Sequence, residues 1–280
     1  MIIVKIWGGI GNQLFQYVFG QYLHHRFHQD VRYDDNSFVS TDKLRKRELD
    51  SLNVNIDWDD HCLFSKYKGV IGRILRLYYQ MFPKQHYIGL DDKIPDRIKS
   101  TDEYFFQGYW QDYKYYEWLQ NNIPAFIIKS KIFPIELDDI KQKIVACPQS
   151  VSIHIRRGDY FTPQYVSTYG VCTKDYFEKA IKIMKEKIPN ARFFVFTDDI
   201  DWVNEHIQLD DDALIIPNYD ISQFAYIELM SLCKHHIISN SSFSWWGSIL
   251  NDKKDSLVIS PSKWTLTSDK TIALDKWIKI

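Results

Sequence analysis

The chain has 280 residues, 45% of them apolar and 25% charged, and a formal net charge of −1. This length suits one large or two modest domains, and the balance of residue types is that of an ordinary globular protein, not a disordered or fibrous one. So small a net charge provides no general attraction to nucleic acid, and no nucleic-acid partner is expected.

Aromatic residues reach 16%, with nine Trp and eighteen Tyr; such rings stack on sugars and bases as well as filling cores. Cys62, Cys147, Cys172 and Cys233 show no CxxC spacing, which reads as reduced thiols in a cytosolic protein. No run approaches eighteen apolar residues and the N-terminus lacks the shape of a signal peptide. A cytoplasmic protein whose body begins at its first strand is therefore expected.

In chain order, residues 2–7 predict a strand, residues 8–11 a glycine loop, and residues 12 to about 27 a helix. Glycines at such a junction let a ligand approach Gly11 and the amides of the helix start, where the dipole favours negative charge. The third glycine of a GxGxxG pattern would fall at Leu14, so a dinucleotide fingerprint is not supported. Asn12 and Gln13, polar side chains at the helix start, are candidates for substrate contact; a tight turn without a ligand is the competing reading. Residues 31–34 predict a second short strand and residues 71–82 an amphipathic stretch. Residues 91–102 read as a polar connection. A strand at 104–108 leads into a helix at 112–121, and the glycine-broken aromatic cluster between them offers Tyr109 and Trp110 as a sugar-stacking platform, with core packing as the alternative. The polar, proline-bounded stretch 134–148 predicts the domain boundary, giving domains 1–145 and 146–280.

The second half alternates regularly. Strands at 151–155, 192–197, 213–216, 235–239 and 257–260 are separated by helices at 175–187, 200–207, 223–234 and 241–250, the pattern of βαβ units and a parallel sheet. Ligands then bind outside the carboxyl ends of the strands. At one such end stands His154-Ile-Arg156-Arg157-Gly-Asp159. Two guanidinium groups there are costly unless an anion meets them, and their planar forks suit phosphate. Pairing of Arg157 with Asp159 is the plain alternative for that residue. At a second end stand Asp198 and Asp199. Asp199 and Asp201 form a DxD, but capping of the next helix is favoured over metal binding, and no metal or other cofactor is expected. At a third, Asn240, Ser241, Ser242 and Phe243 can cap a helix and bond phosphate oxygens.

Together these motifs resemble the α-1,2-fucosyltransferases of glycosyltransferase family 11. The matching pieces are GGIGNQLFQY at 8–17, FQGYWQ at 106–111, HIRRGDY at 154–160, FVFTDD at 194–199 and SNSSFSWWG at 239–247. The resemblance implies an α/β GT-B architecture, two Rossmann-like domains with a cleft between them. It implies GDP-β-L-fucose as donor, the 2-hydroxyl of a galactose-terminated glycan as acceptor, inversion, and no required metal. It places Arg156 on the β-phosphate and Asn12 near the donor, and makes Glu228 the nearest match to an acidic residue that reads guanine. His154, Arg157, Asp198, Asp199 and the 240–243 segment fall on the donor side, and Gln13, Tyr109 and Trp110 on the acceptor side. Asp159 and His154 both stand as candidate general bases. The alternatives are an α-1,6- or O-fucosyltransferase sharing the HxRRxD-type segment, against which the SSFSWWG segment argues, and a non-catalytic sugar-nucleotide-binding module. A peripheral contact with the inner membrane face is a further expectation.

Overall fold

The computed structural model describes residues 1–40, 45–59, 67, 69–89, 92–123, 125–158, 172–251, 253–266 and 271–280. The chain divides into two units, Met1–Lys131 and Ile132–Ile280, each built on a parallel sheet.

In the first unit β1 (Ile2–Lys5), β2 (Val31–Asp34), β3 (Trp58–Asp59), β4 (Gln85–Ile88) and β5 (Glu103–Phe106) lie in the order β3-β2-β1-β5-β4. β1 is a run of apolar residues, Ile2, Ile3 and Val4, all buried, as a central parallel strand covered on both faces must be. Helix α1 (Ile10–Phe27) follows it and buries Leu14, Phe15, Val18 and Phe19 together with two glutamines, Gln13 and Gln16. A helix buried over so much of its circumference belongs to the core rather than to the surface. The short α2 (Asn36–Ser40), the longer α3 (Gly69–Gln80) and α4 (Tyr113–Asn122) complete the described α-helices of this unit. α4 is capped by Asp112, whose carboxylate accepts from the Lys114 amide at 3.0 Å.

The second unit begins earlier than the composition suggests. The stretch 134–148, expected to hold the boundary, contains α5 (Asp138–Val145), where Ile140 and Ile144 are buried one helical turn apart among charged neighbours. The boundary therefore falls between Lys131 and Ile132, not at 145/146. Then come β6 (Ser150–Ile155), α6 (Lys174–Lys187), β7 (Arg192–Thr197), α7 (Ile200–His206), β8 (Leu214–Ile215), α8 (Gln223–Ser231), β9 (His235–Ile237), α9 (Ser242–Ile249), β10 (Val258–Ser260) and β11 (Ile278–Lys279).

The sheet order β11-β10-β9-β6-β7-β8 is the doubly wound Rossmann order, with its topological switch between β6 and β9. β6 sorts its side chains by face. Val151, Ile153 and Ile155 join Phe177, Met184, Val203 and Ile207 in one core layer. Ser152 and His154 turn to the opposite face, where Ser152 Oγ lies 2.8 Å from His236 Nδ1 and the His154 ring 5.2 Å from Phe243.

Candidate active site

Register brings three of the sequence motifs together at the switch point. Ile155 of β6 pairs with Thr197 of β7, and Ile153 of β6 with Ile237 of β9. The residues that follow each strand therefore emerge side by side: Arg156 and Arg157, Asp198 and Asp199, and the Ser239–Ser241 loop.

The arginines and aspartates interlock. Arg156 Nη1 donates to Asp198 Oδ2 at 2.7 Å, and the other oxygen of Asp198 accepts from the Arg157 amide at 2.9 Å. Arg157 Nε donates to Asp199 Oδ2 at 2.9 Å, and its guanidinium lies 3.8 Å from the centre of the Trp202 ring. Asp199 also caps α7 through the Trp202 amide at 3.1 Å, so the expected capping is what the structure shows. Its carboxyl is held below the usual carboxylate range chiefly by the hydrogen bond from Arg157. Among the described residues Arg157 pairs with Asp199; the alternative partner Asp159 lies outside them. Gly158 belongs to the same knot, because a Cβ there would sit 2.5 Å from Asp198 Oδ2. Arg157 is consumed in holding the loop, whereas Arg156 keeps a quarter of its side chain exposed at the strand end. A guanidinium has five N–H donors, enough to hold Asp198 and a phosphate oxygen together.

His154 is buried, and its Nδ1 meets no hydrogen-bond partner among the described residues. Burial, and then the charge of Arg156, push its pKa down to about 3. At neutral pH the imidazole is uncharged and a weak proton acceptor, which speaks against it as general base.

The serine-rich loop divides its labour. Ser239 Oγ donates to the His154 carbonyl at 2.6 Å and accepts from the Arg156 amide at 3.3 Å, tying β9 to the turn that carries the arginines. Ser239 opens the SNSSFSWWG motif at 239–247. Asn240 is spent internally: its Nδ2 donates to the Trp264 carbonyl at 3.2 Å and its Oδ1 accepts from Cys172 Sγ at 3.5 Å. That side chain is only 5% exposed and ties two other segments of the unit to the loop. Ser241 caps α9 by accepting from the Phe243 amide at 3.3 Å. Ser242 and Phe243 are half-buried in the first turn of that helix, and Glu228 is half-buried on α8. The two tryptophans of the motif are core: Trp245 and Trp246 are fully buried, and Trp245 Nε1 reaches the Ile272 carbonyl at 2.7 Å.

The first unit has its own switch point, between β1 and β5. The loop after β1 turns at Gly8, whose φ of +82° suits glycine, and Gly9 is the N-cap of α1, without a side-chain bond. Gly11 is buried one residue into the helix. Asn12 is half-buried, and its Oδ1 accepts from Gln111 Nε2 at 2.8 Å, joining the ends of the two strands. Gln111 closes the FQGYWQ motif at 106–111.

Two acceptor-side expectations fail here. Gln13 is fully buried: its Nε2 donates to the carbonyls of Gly8 and Lys46, each at 2.8 Å, and its Oε1 accepts from the Glu48 amide at 3.0 Å. It pins a distant loop to the helix. Trp110 is only 6% exposed and stacks on Phe19 with ring centres 4.1 Å apart. The cluster is core at this residue. Tyr109, half-buried against Trp7 at 4.9 Å, is the aromatic side chain of the cluster that keeps some exposure.

Two Rossmann-like units, one carrying an arginine–aspartate knot at its switch point, have the GT-B type of architecture. A model of "Glycosyl transferase family 11" matches residues 67–280, and the chain belongs to that family. It is 30% identical to an α-1,2-colitosyltransferase of Escherichia coli over 100% of this chain and 99% of that one. It is 29% identical to the O-antigen biosynthesis glycosyltransferase WbnK of the same species, over 98% of each. Among solved structures, the α-1,6-fucosyltransferase NodZ soaked with GDP-fucose is similar in fold, with a TM-score of 0.55 at 12% identity over 89% of this chain and 91% of that one.

Proposed function

We propose that this family 11 glycosyltransferase moves L-fucose from GDP-β-L-fucose to the 2-hydroxyl of a terminal galactose, with inversion and without a metal. The observation that carries the reading is Arg156, held by Asp198 at the carboxyl end of β6 and still partly open to a ligand. As GDP departs, negative charge grows on its β-phosphate while the sugar carbon becomes oxocarbenium-like. A fixed guanidinium at that oxygen favours the transition state over the ground state. Asp198 and Asp199 set the arginines without rearrangement, and the α9 start adds helix-terminal N–H groups. With His154 disfavoured, Asp159 is the candidate base for the acceptor hydroxyl, and Asn12 and Tyr109 remain the first-unit candidates for sugar contact.

The α-1,2 linkage named for the E. coli relative supports the bond type, and the GDP-fucose soak of NodZ supports the donor. The same E. coli relative favours a second reading, transfer of colitose in place of fucose. The deciding experiment is transfer of labelled sugar from either nucleotide donor to lactose, with and without EDTA, followed by linkage analysis of the product. Fucose in α-1,2 linkage, formed equally well in EDTA, is expected. Loss of transfer in EDTA with recovery in manganese would end the metal-free mechanism, and transfer of colitose alone would replace the donor.

Donor binding has its own readout. GDP at about 100 times its dissociation constant should raise stability by about 2.7 kcal/mol. GMP should act only at much higher concentration, since it lacks the β-phosphate assigned to Arg156. Equal titration midpoints for the two nucleotides in a melting assay would contradict that contact.

A further inference from the structure

Helix α3 is amphipathic the wrong way round. A surface helix normally turns its apolar stripe to the core and its charges to water. α3 does pack through Leu75 and Tyr79 onto Ile3 and Phe105, and Arg76 donates to the Tyr87 hydroxyl at 3.1 Å. Its outer side nevertheless carries Val70, Ile71, Ile74, Leu77 and Tyr78, followed by Met81, each between 56% and 78% exposed. These positions recur every three or four residues, so they form one continuous stripe and not scattered apolar residues.

Charge says what the stripe meets. Residues 61–90 contain five Lys or Arg and no Asp or Glu, in a chain whose net charge is −1. Exposed Arg73 lies within the helix and exposed Lys84 just beyond it. Burying the stripe against a second copy would bring two such cationic stretches together, which like-charge repulsion opposes. At twelve residues α3 is about 18 Å long, well short of a bilayer's hydrocarbon core of about 30 Å. No described helix is long and apolar enough to cross a membrane. An apolar face flanked by basic side chains is the composition of a helix lying in an anionic lipid interface.

We propose that α3 is an interfacial anchor that lays its outer face on the surface of an anionic lipid bilayer. The proposal rests on this unit alone and is independent of the donor and acceptor assigned above.

The test is flotation of the full chain with vesicles of phosphatidylcholine, alone or mixed with phosphatidylglycerol, at low and raised salt. The protein should float with the mixed vesicles, much less with phosphatidylcholine alone, and less in salt. Ile74→Glu with Leu77→Glu should lower partitioning at least about tenfold without changing the melting temperature, because both side chains are exposed. Arg73→Gln and Lys84→Gln should each lower it about fivefold, and only for the anionic vesicles. Transfer to a soluble acceptor should be unchanged in all of these variants. Failure to float with either vesicle, or flotation untouched by Ile74→Glu with Leu77→Glu, overturns the proposal. So does a dimer that Leu77→Glu dissolves in a protein that does not float, which would assign the face to a second copy.

Discussion

Arg156→Lys should lower the turnover of sugar transfer about 100-fold or more while leaving the fold intact. Removing one preorganised donor from a developing anion typically costs about 2.7–4 kcal/mol of transition-state stabilisation. Lysine keeps the charge but loses the planar fork that can hold Asp198 and a phosphate oxygen at once. The effect on stability should be far smaller. The Arg156–Asp198 pair is about a quarter exposed on both sides, and ion pairs of that kind contribute about 1 kcal/mol or less. In a chain of this size that is a shift of a few degrees in melting temperature. Turnover and melting therefore separate a role in chemistry from a role in folding. Asp198→Asn is the companion variant: it leaves Arg156 in place but loosens its orientation, so it should cost less turnover than Arg156→Lys. A lysine variant that retains most of its activity would remove Arg156 from the mechanism.

The second unit was the more legible half because its chemistry stands at the ends of unambiguous strands. Residues 192–197 are apolar throughout apart from their ends, and β7 occupies that span. The residues after it had to lie at the carboxyl edge of a parallel sheet, beside those after β6. What local pattern could not supply was partnership at long range. The amide of Gln13 is satisfied by Lys46 and Glu48, more than thirty residues on. Nothing in the first helix turn distinguishes that from an amide awaiting a sugar. The ion pair of Arg157 with Asp199 is likewise a contact across two strand ends, 42 residues apart. α5 is not legible from local pattern because its two buried side chains, Ile140 and Ile144, are diluted by charges on its outer face. β11 has only two residues, too few for any periodicity, and exists by pairing with β10.

Trp110 is the sharpest case, and its variants should sort by backbone as well as by ring. Trp110→Ala should destabilise the protein by about 3–5 kcal/mol, because it empties a buried aromatic site stacked on Phe19. The native φ of Trp110 is +53°, a conformation that costs a residue with a Cβ about 1–2 kcal/mol. Trp110→Gly leaves the same void but relieves that cost, so it should be more stable than Trp110→Ala by about 1 kcal/mol. This ordering is the reverse of that at an ordinary position. Trp110→Phe should retain most of the stability: it keeps a ring against Phe19 and removes an indole N–H that is buried without an acceptor. Urea unfolding of the three variants reads the ordering directly. In the folded fraction of each, the KM for a galactoside should stay near that of the parent. A Trp110→Ala protein that melts like the parent but has lost acceptor affinity alone would return the ring to the sugar site and refute its place in the core.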